Sequence, residues 1–392
     1  MGTVFIADLL TGRRIVPIPY TSYRWSQRRN RADECSATVD VLDDDVRALD
    51  LRNAATPGKT ALAIVEEIEG GEWFACAGPL GQPSYDRDGG KKTLPGKGMR
   101  RFFEDRTVLP SAALDIDPAD FVIPDPADTT KTMPNPALKT EFTGWSLGTI
   151  IKKLIEQMMT WPASDLPIVL PADVAGTHEK TYQGVDFKSV ESAISDLIAR
   201  ENGPDVALAA RYQEDRRGVE WVLTTGTDEQ PAIRSTSVHR WDLSAKQTST
   251  KGLKVDWDGD GLASVAWATG GRSLDVALVE RVTDSNLIDS GFPLRETVNT
   301  SHTDVVERPT LRAYAAADLG QVQGLVEVWI FDVKKDEKPY LGQYNIGDLC
   351  DLIIVGDPEI PDSPPGGYRR EIAALSGDEG DWVTVTTVEV GS

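Results

Sequence analysis

The sequence predicts a mainly β fold with an α+β insert, in which two β-barrel domains flank a smaller α+β domain. Apolar and polar residues alternate with period two up to about residue 115 and again after about residue 250, whereas two segments between them have helical spacing. The predicted domains are 1–115 (N-terminal β-barrel), 116–144 (proline-rich linker or arm), 145–249 (α+β domain) and 250–392 (C-terminal β-barrel). A chain of 392 residues is long enough for each domain to bury its own core.

The first domain is predicted from short strands bounded by glycine and proline. Residues 1–10 form an apolar run that contains Asp8 and has no basic residue before it, which is typical of a first strand and not of a secretory signal. Alternation over 35–41 predicts a further strand, as do the runs at 60–65 and 73–76. Several short strands at close spacing are typical of a sandwich or barrel.

A proline-rich segment separates this domain from the next. Five prolines fall within residues 118–136, with Asp and Thr between them. Because proline lacks an amide donor and has a fixed φ, we expect no regular ladder or helix there.

The middle domain is predicted from two amphipathic helices and a pair of strands. Apolar residues recur at helical spacing over 145–159, with Ser146 as the N-cap. A second helix is predicted over 187–201, with Asp186 as its cap. Strands at 206–212 and 219–225 are predicted to form a hairpin-like pair.

The last domain is predicted from strands interrupted by one short helix. The helix spans 309–319, with Pro309 in its first turn and Gly320 just past its end. Residues 357–367, with four prolines, are expected to form a turn or arm. The predicted strands are 262–269, 273–282, 326–333, 348–355, 368–375 and 382–389.

Composition argues against catalysis and metal binding. Cys35, Cys76 and Cys350 are far apart in sequence and are predicted to be buried free thiols. The chain has only 3 His, the residue type that most often serves as general base or metal ligand. We therefore expect no enzyme activity, no catalytic residues, no cofactor and no metal ion.

The formal net charge of −21 is unevenly distributed. Residues 1–115 hold 16 Lys and Arg against 17 Asp and Glu, so nearly all of the net negative charge belongs to the rest of the chain. A strongly acidic surface repels phosphate, so specific nucleic-acid binding is not expected outside the first third. Acidic residues that only keep the surface soluble are an equally good explanation.

One motif suggests a serine hydrolase. Residues 144–148 match the nucleophile elbow G-x-S-x-G, with Ser146 as the nucleophile and His178, His239 or His302 as the candidate base. An elbow also needs a buried parallel strand before it, whereas residues 139–143 predict a weak, charged strand. Ser146 is better explained as a helix cap.

Two further motifs are incomplete. Residues 256–261 resemble the first half of a calcium loop, but Trp267 stands where the bidentate Glu is needed, and a turn rich in Asp and Gly is the simpler interpretation. Residues 90–98 resemble a phosphate-binding loop but have the wrong glycine spacing, and Gly98 replaces the required hydroxyl residue.

Basic residues are frequent in the first 115 positions. We expect them either to pair with acids of a neighbouring subunit or to face water. The residues concerned are Arg24, Arg28, Arg29, Arg31, Lys91, Lys92, Lys97, Arg100, Arg101 and Arg106.

Three sets of short motifs carry a resemblance to a known family. The first set is TGRRIVPIP at 11–19, Trp25-Ser26, Arg29-Asn30-Arg31-Ala32 and Ser36-Ala37-Thr38-Val39. The second set is Leu166-Pro167-Ile168, Gly176-Thr177-His178, Lys180-Thr181-Tyr182 and Asn202-Gly203-Pro204-Asp205-Val206. The third set is Gly347-Asp348, Arg369-Arg370-Glu371-Ile372 and Ser376-Gly377-Asp378. Together they resemble the tail-tip (baseplate) hub proteins, or minor tail proteins, of long-tailed actinobacterial phages, which are related in fold to contractile-tail and type VI secretion hubs.

This resemblance implies a structural protein at the tail tip of a virion. It implies a homotrimer whose subunits each give two β-barrels, so that three chains adapt the six-fold tail tube and distal tail ring to a three-fold tip. The implied partners are the distal tail protein, the tape-measure protein and spike or fibre proteins, with DNA only passing through. The alternatives are a tail-associated serine hydrolase using Ser146 and a carbohydrate-binding tail protein using exposed Trp. The segments 118–136 and 357–367 match none of the family's motifs.

Overall fold

The computed structural model describes residues 2–390 except 70, 201, 245–248, 260–261, 274–275, 301, 303–304 and 321–325. Strands make up 44% of the chain and helices 19%, which confirms the prediction of a mainly β fold. Cys35, Cys76 and Cys350 are buried free thiols, as predicted. Within the described ranges, no helix is long and apolar enough to cross a membrane.

The elements are numbered in chain order. The strands before residue 140 are β1 (Thr3–Asp8), β2 (Arg14–Pro17), β3 (Ser22–Arg28), β4 (Glu34–Asp40), β5 (Thr60–Ile68), β6 (Gly71–Pro79), β7 (Ser84–Asp86), β8 (Lys91–Lys97), β9 (Val122–Asp125) and β10 (Asp128–Pro134). Those up to residue 258 are β11 (Thr140–Trp145), β12 (Ile168–Val169), β13 (Ala175–Tyr182), β14 (Val206–Tyr212), β15 (Val219–Thr225), β16 (Val238–Asp242) and β17 (Thr250–Asp258). The last are β18 (Val265–Ser273), β19 (Val276–Thr283), β20 (Glu296–Asn299), β21 (Val326–Lys334), β22 (Leu349–Ile353), β23 (Tyr368–Asp378) and β24 (Trp382–Glu389). The helices are α1 (Asp44–Ala48), α2 (Leu51–Ala54), α3 (Arg100–Glu104), α4 (Leu147–Met159), α5 (Val190–Ile198), α6 (Asn286–Asp289) and α7 (Arg308–Gly320).

A four-stranded antiparallel sheet, in the order β2-β1-β5-β6, lies at the centre of the molecule. On β1 and β5, Ile6 and Leu62 are register partners that face the core shared with the largest sheet. Their neighbours Phe5 and Ala63 face the opposite way, onto a second core with α4 and α5. Burial of both faces explains why residues 60–65 form a nearly continuous apolar run.

A ten-stranded sheet combines strands from the first and last thirds of the chain. Its path is β17-β21-β24-β23-β3-β4-β8-β7, with β22 also paired to β23 and β16 paired to β22. The two thirds join where β23 pairs antiparallel with β3, with Leu375 opposite Gln27. None of the described sheets closes on itself, so the predicted two-barrel arrangement is not confirmed.

The middle of the chain follows the predicted helices and strands closely. α4 begins after Ser146, as predicted, and β14 and β15 have the predicted bounds and pair antiparallel. The prediction for the second helix was wrong at its start. Its N-cap is Ser189, which accepts a hydrogen bond from the Ser192 amide at 3.0 Å. Asp186 lies instead in a 3₁₀ turn, and Phe187 has a left-handed backbone conformation that separates this turn from the helix.

The proline-rich segment contradicts the expectation of no regular structure. β9 and β10 form an antiparallel hairpin in which Thr132 lies opposite Pro124. A two-stranded sheet has only edge strands, and an edge strand tolerates proline because the missing amide can face away from the partner. The flanking chain packs through Leu109, Ala113 and Leu138 in a small apolar cluster of its own.

The last third contains the predicted strands with small shifts at their ends. The strand predicted at 262–269 begins at Val265, and the helix predicted at 309–319 spans Arg308–Gly320. Residues 274–275 of the strand predicted at 273–282 lie outside the described residues. β19, β18 and β20 form a sheet that packs with α7 around a separate small core. No strand or helix forms over residues 357–367, as predicted.

Candidate functional site

The structure places Ser146 as a helix cap. Its Oγ accepts a hydrogen bond from the Thr149 amide at 3.2 Å and donates to Thr149 Oγ1 at 3.1 Å. The residue is 2% exposed. The preceding strand β11 pairs antiparallel with β13. It is therefore not the buried parallel strand that a nucleophile elbow requires.

The three histidines lie in three different places. His178 Nε2 lies 3.3 Å from Asp228 Oδ2, and Asp228 Oδ1 accepts from the Leu147 amide at 3.2 Å, so this pair is close to Ser146. His239 is buried beside Asp348, and His302 stacks on Tyr314. The Ser146 Oγ caps α4 and lies within hydrogen-bond distance of Thr149 Oγ1, so the arrangement supports a capping role for Ser146.

Parts of the two incomplete motifs lie in strands. Residues 91–97 are β8, and residues 256–258 are the end of β17, so the turn predicted over 256–261 does not begin before residue 259. Asp260 and Gly261 lie outside the described residues. No group of three His, Cys, Asp or Glu side chains that could hold a metal ion occurs in the described part of the chain.

The alternative of carbohydrate binding depended on exposed tryptophans. Among the residues that the structure describes, one tryptophan is largely exposed. This is Trp257, which is 56% exposed and lies on the edge strand β17.

A cluster that we call the arginine–carboxylate junction holds two buried carboxylates, Asp205 and Glu371, among the partly exposed Arg29, Asn30 and Arg234. Arg29 Nε lies 2.8 Å from Asp205 Oδ1, and the guanidinium groups of Arg29 and Arg234 both pair with Glu371. Asn30 Nδ2 donates to Asp205 Oδ1 at 2.8 Å, and Asn30 Oδ1 accepts from the amide at the start of β14, also at 2.8 Å. The junction thus ties the turn after β3 to β14 and β23.

Burial governs the electrostatics of the junction. The Glu371 side chain is 1% exposed, and this burial raises its pKa even though Arg29 and Arg234 act in the opposite direction. Burial likewise acts to lower the pKa of Arg29, but its hydrogen bond to Asp205 and the charges of Asp205 and Glu371 together raise it. The charges of the junction therefore satisfy one another within one chain.

Sequence reasoning did not predict this junction. Arg29 and Arg100 were expected to pair with another subunit or to face water, but each pairs within the chain, Arg100 with Glu191. The signal was present in the resemblance, since one motif from each set contributes to the junction: 29–32, 202–206 and 369–372. Nothing in the sequence alone showed that these motifs meet in space.

Comparison with known proteins gives the fold. No protein-family model matches the chain, and no curated protein matches it. A tail protein from Neisseria meningitidis MC58 superposes with TM-score 0.53 at 13% identity, covering 100% of this chain and 96% of that one. The 43 kDa tail protein of prophage MuSo2 from Shewanella oneidensis superposes with TM-score 0.52 at 13% identity, covering 99% and 98%. A component of the E. coli type VI secretion system is more distant, with TM-score 0.44 at 7% identity, covering 96% and 75%.

The chain therefore has the fold of phage tail proteins over its whole length. This agrees with the broad part of the resemblance found in the sequence. The narrower resemblance, to the hubs of actinobacterial phages, stays a prediction.

Proposed function

We propose that the chain is a structural tail-tip hub protein of a phage virion. In this proposal three copies form a symmetry adaptor between the six-fold tail tube and distal tail ring and the three-fold tip, around the channel through which DNA passes. The observation that carries the proposal is the end-to-end match to two tail proteins, each covered over almost its full length. A match confined to one sheet would support a shared motif only, whereas this one extends over every part of the described chain.

The sheet topology supports the adaptor. One unit consists of the four-stranded sheet packed on β3, β4 and β8, and the other consists of β16, β17 and β21 to β24. Pairing of β3 with β23 fixes the two units side by side. Two β units per chain would allow three chains to present six similar units, as a closed six-fold neighbour requires.

The charge distribution supports passage of DNA without adsorption. Residues 116–392 carry nearly all of the net charge of −21, and like charges weaken adsorption to phosphate. We place this acidic surface toward the channel. A structure of the assembled ring tests that placement, and a neutral or basic channel wall would contradict it.

Mass measurement in solution tests the assembly. Light scattering of the purified chain, alone and mixed with a recombinant distal tail ring of the same phage, should give a species of three times the 42.7 kDa chain mass. The trimer should also join the ring, and an unrelated six-fold ring serves as the control. A chain that stays monomeric alone and with its own ring would contradict the proposal.

A further inference from the structure

Two of the three buried thiols lie in the same part of the apolar core. Cys35 lies on β4 of the ten-stranded sheet, Cys76 lies on β6 of the central four-stranded sheet, and both belong to the core between these sheets. They are 6% and 2% exposed. Cα atoms of β4 and β6 come within 8 Å of each other, so side chains of the two strands can meet across the core.

A glycine on β8 leaves room for the Cys35 thiol beside the central sheet. Cys35 lies opposite Gly96 in the register of β4 and β8, and a methyl group built on Gly96 would lie 2.9 Å from Cys35 Sγ and 3.1 Å from Leu62 Cβ. The Cys35 thiol therefore lies close to Leu62 on β5. The next β5 residue on the same face is Ile64, which lies opposite Cys76 on β6. The strand registers thus place the two thiols in neighbouring positions of one core.

The two thiols also interact directly. A hydrogen bond to the Cys35 side chain, together with burial, raises the pKa of the Cys76 thiol. Cys76 therefore keeps its proton at neutral pH and lies within reach of the Cys35 sulfur. A disulfide bond needs Cα atoms about 4.4–6.8 Å apart, a separation that the close approach of β4 and β6 allows.

The third thiol has different neighbours and serves as an internal control. Cys350 is fully buried on β22, where it lies opposite His239 on β16 and Arg370 on β23. Burial, and then the charge of Asp351, raise the pKa of Cys350 to about 12. Neither strand neighbour offers a second sulfur, so Cys350 has the burial of the other two thiols without their pairing.

We propose that Cys35 and Cys76 are an oxidation site that closes a disulfide bond between β4 and β6, with hydrogen peroxide as the oxidant. The Cys35 thiolate attacks one peroxide oxygen, the O–O bond breaks, and hydroxide leaves, which gives a sulfenic acid on Cys35. The Cys76 sulfur then attacks the Cys35 sulfur, the S–O bond breaks, and the hydroxyl leaves as water with the proton of Cys76. The two thiols lose two electrons, and one peroxide is reduced to two waters.

The bond would join the two sheets covalently. Hydrogen peroxide is uncharged and little larger than water, so a brief local opening of the core admits it. In a reducing cytosol the pair stays as thiols, whereas in an oxidising medium the disulfide forms and persists. The cross-link restricts the unfolded chain between residues 35 and 76, so the oxidised protein should unfold at a higher urea concentration than the reduced protein. The proposal does not depend on the tail-hub function.

Thiol counting and peptide mapping of the purified full chain test the site. The folded chain is treated with hydrogen peroxide at neutral pH and then unfolded, and its remaining thiols are blocked with iodoacetamide. The number of blocked thiols should fall from three to one. A digest without reductant should contain a peptide that links Cys35 to Cys76, and dithiothreitol should restore all three thiols. Three free thiols after treatment, or oxyacids of Cys35 without the link, would overturn the proposal.

Two variants and an unfolded sample show whether the fold selects the pair. Cys350→Ser should form the same link as the unsubstituted chain, whereas Cys76→Ser should stop at a sulfenic acid on Cys35 that dimedone traps. The chain oxidised in urea should give links to Cys350 as well as the link between Cys35 and Cys76. Mapping of the unsubstituted chain needs no variant, so the test stays valid should Cys76→Ser fail to fold. The same mixture of links in the folded and the urea-treated chain would refute the site.

Discussion

Glu66 joins strands from the beginning and the end of the chain, and its substitution tests how strongly they depend on each other. It lies on β5 and is 2% exposed. Its Oε1 accepts from Trp25 Nε1 and from Lys335 Nζ, both at 2.8 Å, and its Oε2 accepts from the Tyr23 hydroxyl at 2.9 Å. Burial and the Glu66 carboxylate raise the pKa of Tyr23, so Tyr23 is a neutral donor at all ordinary pH values.

Glu66→Gln should lower the free energy of unfolding by about 3–5 kcal/mol, the cost of breaking a buried ion pair by removing one partner. The substitution leaves the Lys335 ammonium, which is 8% exposed, without a carboxylate. It also replaces one carboxylate oxygen, which accepts hydrogen bonds, by an amide NH₂ that would face a hydrogen-bond donor. Urea denaturation at pH 7, followed by tryptophan fluorescence, measures the change, and the slope with urea should stay the same.

An exposed pair provides the matched control. Glu141 pairs with Lys139, and its side chain is 53% exposed. Glu141→Gln should change the free energy of unfolding by less than about 0.5 kcal/mol. A loss below about 1 kcal/mol for Glu66→Gln, indistinguishable from the control, would refute the reasoning.

A double-mutant cycle isolates the ion pair from the other hydrogen bonds. Lys335→Met removes the ammonium that Glu66→Gln leaves unpaired. The double variant should therefore lose less stability than the sum of the two single variants. Strict additivity would show that Glu66 and Lys335 do not stabilise each other, despite their 2.8 Å contact.

Three further predictions test other parts of the structure. Trp221→Phe should lower the free energy of unfolding by about 1–3 kcal/mol, because Trp221 is fully buried and donates to Ala77 O at 2.9 Å. The same change at the exposed Trp257 should lower it by less than about 0.5 kcal/mol in the same urea assay. Burial raises the pKa of the Asp33 carboxyl to about 7. The folded state therefore binds the carboxyl proton more tightly than the unfolded state does. The contribution of this proton to the free energy of unfolding is complete below about pH 4 and is lost as the pH rises to about 7. In Asp33→Asn, the free energy of unfolding should fall by about 2–4 kcal/mol less between pH 4 and pH 8 than in the unsubstituted protein. If the free energies of unfolding of the two proteins ran parallel over this pH range, the prediction would be wrong. Ser146→Ala should lower stability by about 1 kcal/mol through loss of the cap, and a fluorophosphonate probe should label neither protein; labelling that depends on Ser146 would instead favour the hydrolase.

Elements that depend on local contacts could be predicted from the sequence. The start of α4 follows from Ser146 and from the helical spacing after it, and both signals lie within a few residues of the structure they specify. The pairing of β14 with β15 likewise needs only a short connection between two alternating segments. Asp186 was chosen wrongly as a cap because Ser189, three residues later, carries an equally good capping side chain, and the left-handed Phe187 between them gives no sequence signal.

Contacts between distant segments could not be predicted in the same way. Arg29 reaches Asp205 across 176 positions and Glu371 across 342, so no periodic pattern connects them. An arginine in a turn is normally exposed, and only the fold places this one between two buried carboxylates. The same limit applies to the sheet, since pairing of β3 with β23 is decided by packing on the central sheet and not by any signal in either strand.

The junction gives physical meaning to a resemblance that was spread over short motifs. Each motif alone is a common combination of polar residues, but Arg29, Asp205 and Glu371 depend on one another once they are buried together. Loss of either carboxylate would leave Arg29 short of a partner, and loss of Arg29 would leave two nearby carboxylates that repel each other. Three motifs that lie far apart in the sequence are therefore coupled physically at one site. The same coupling means that these charges pair with one another within the subunit.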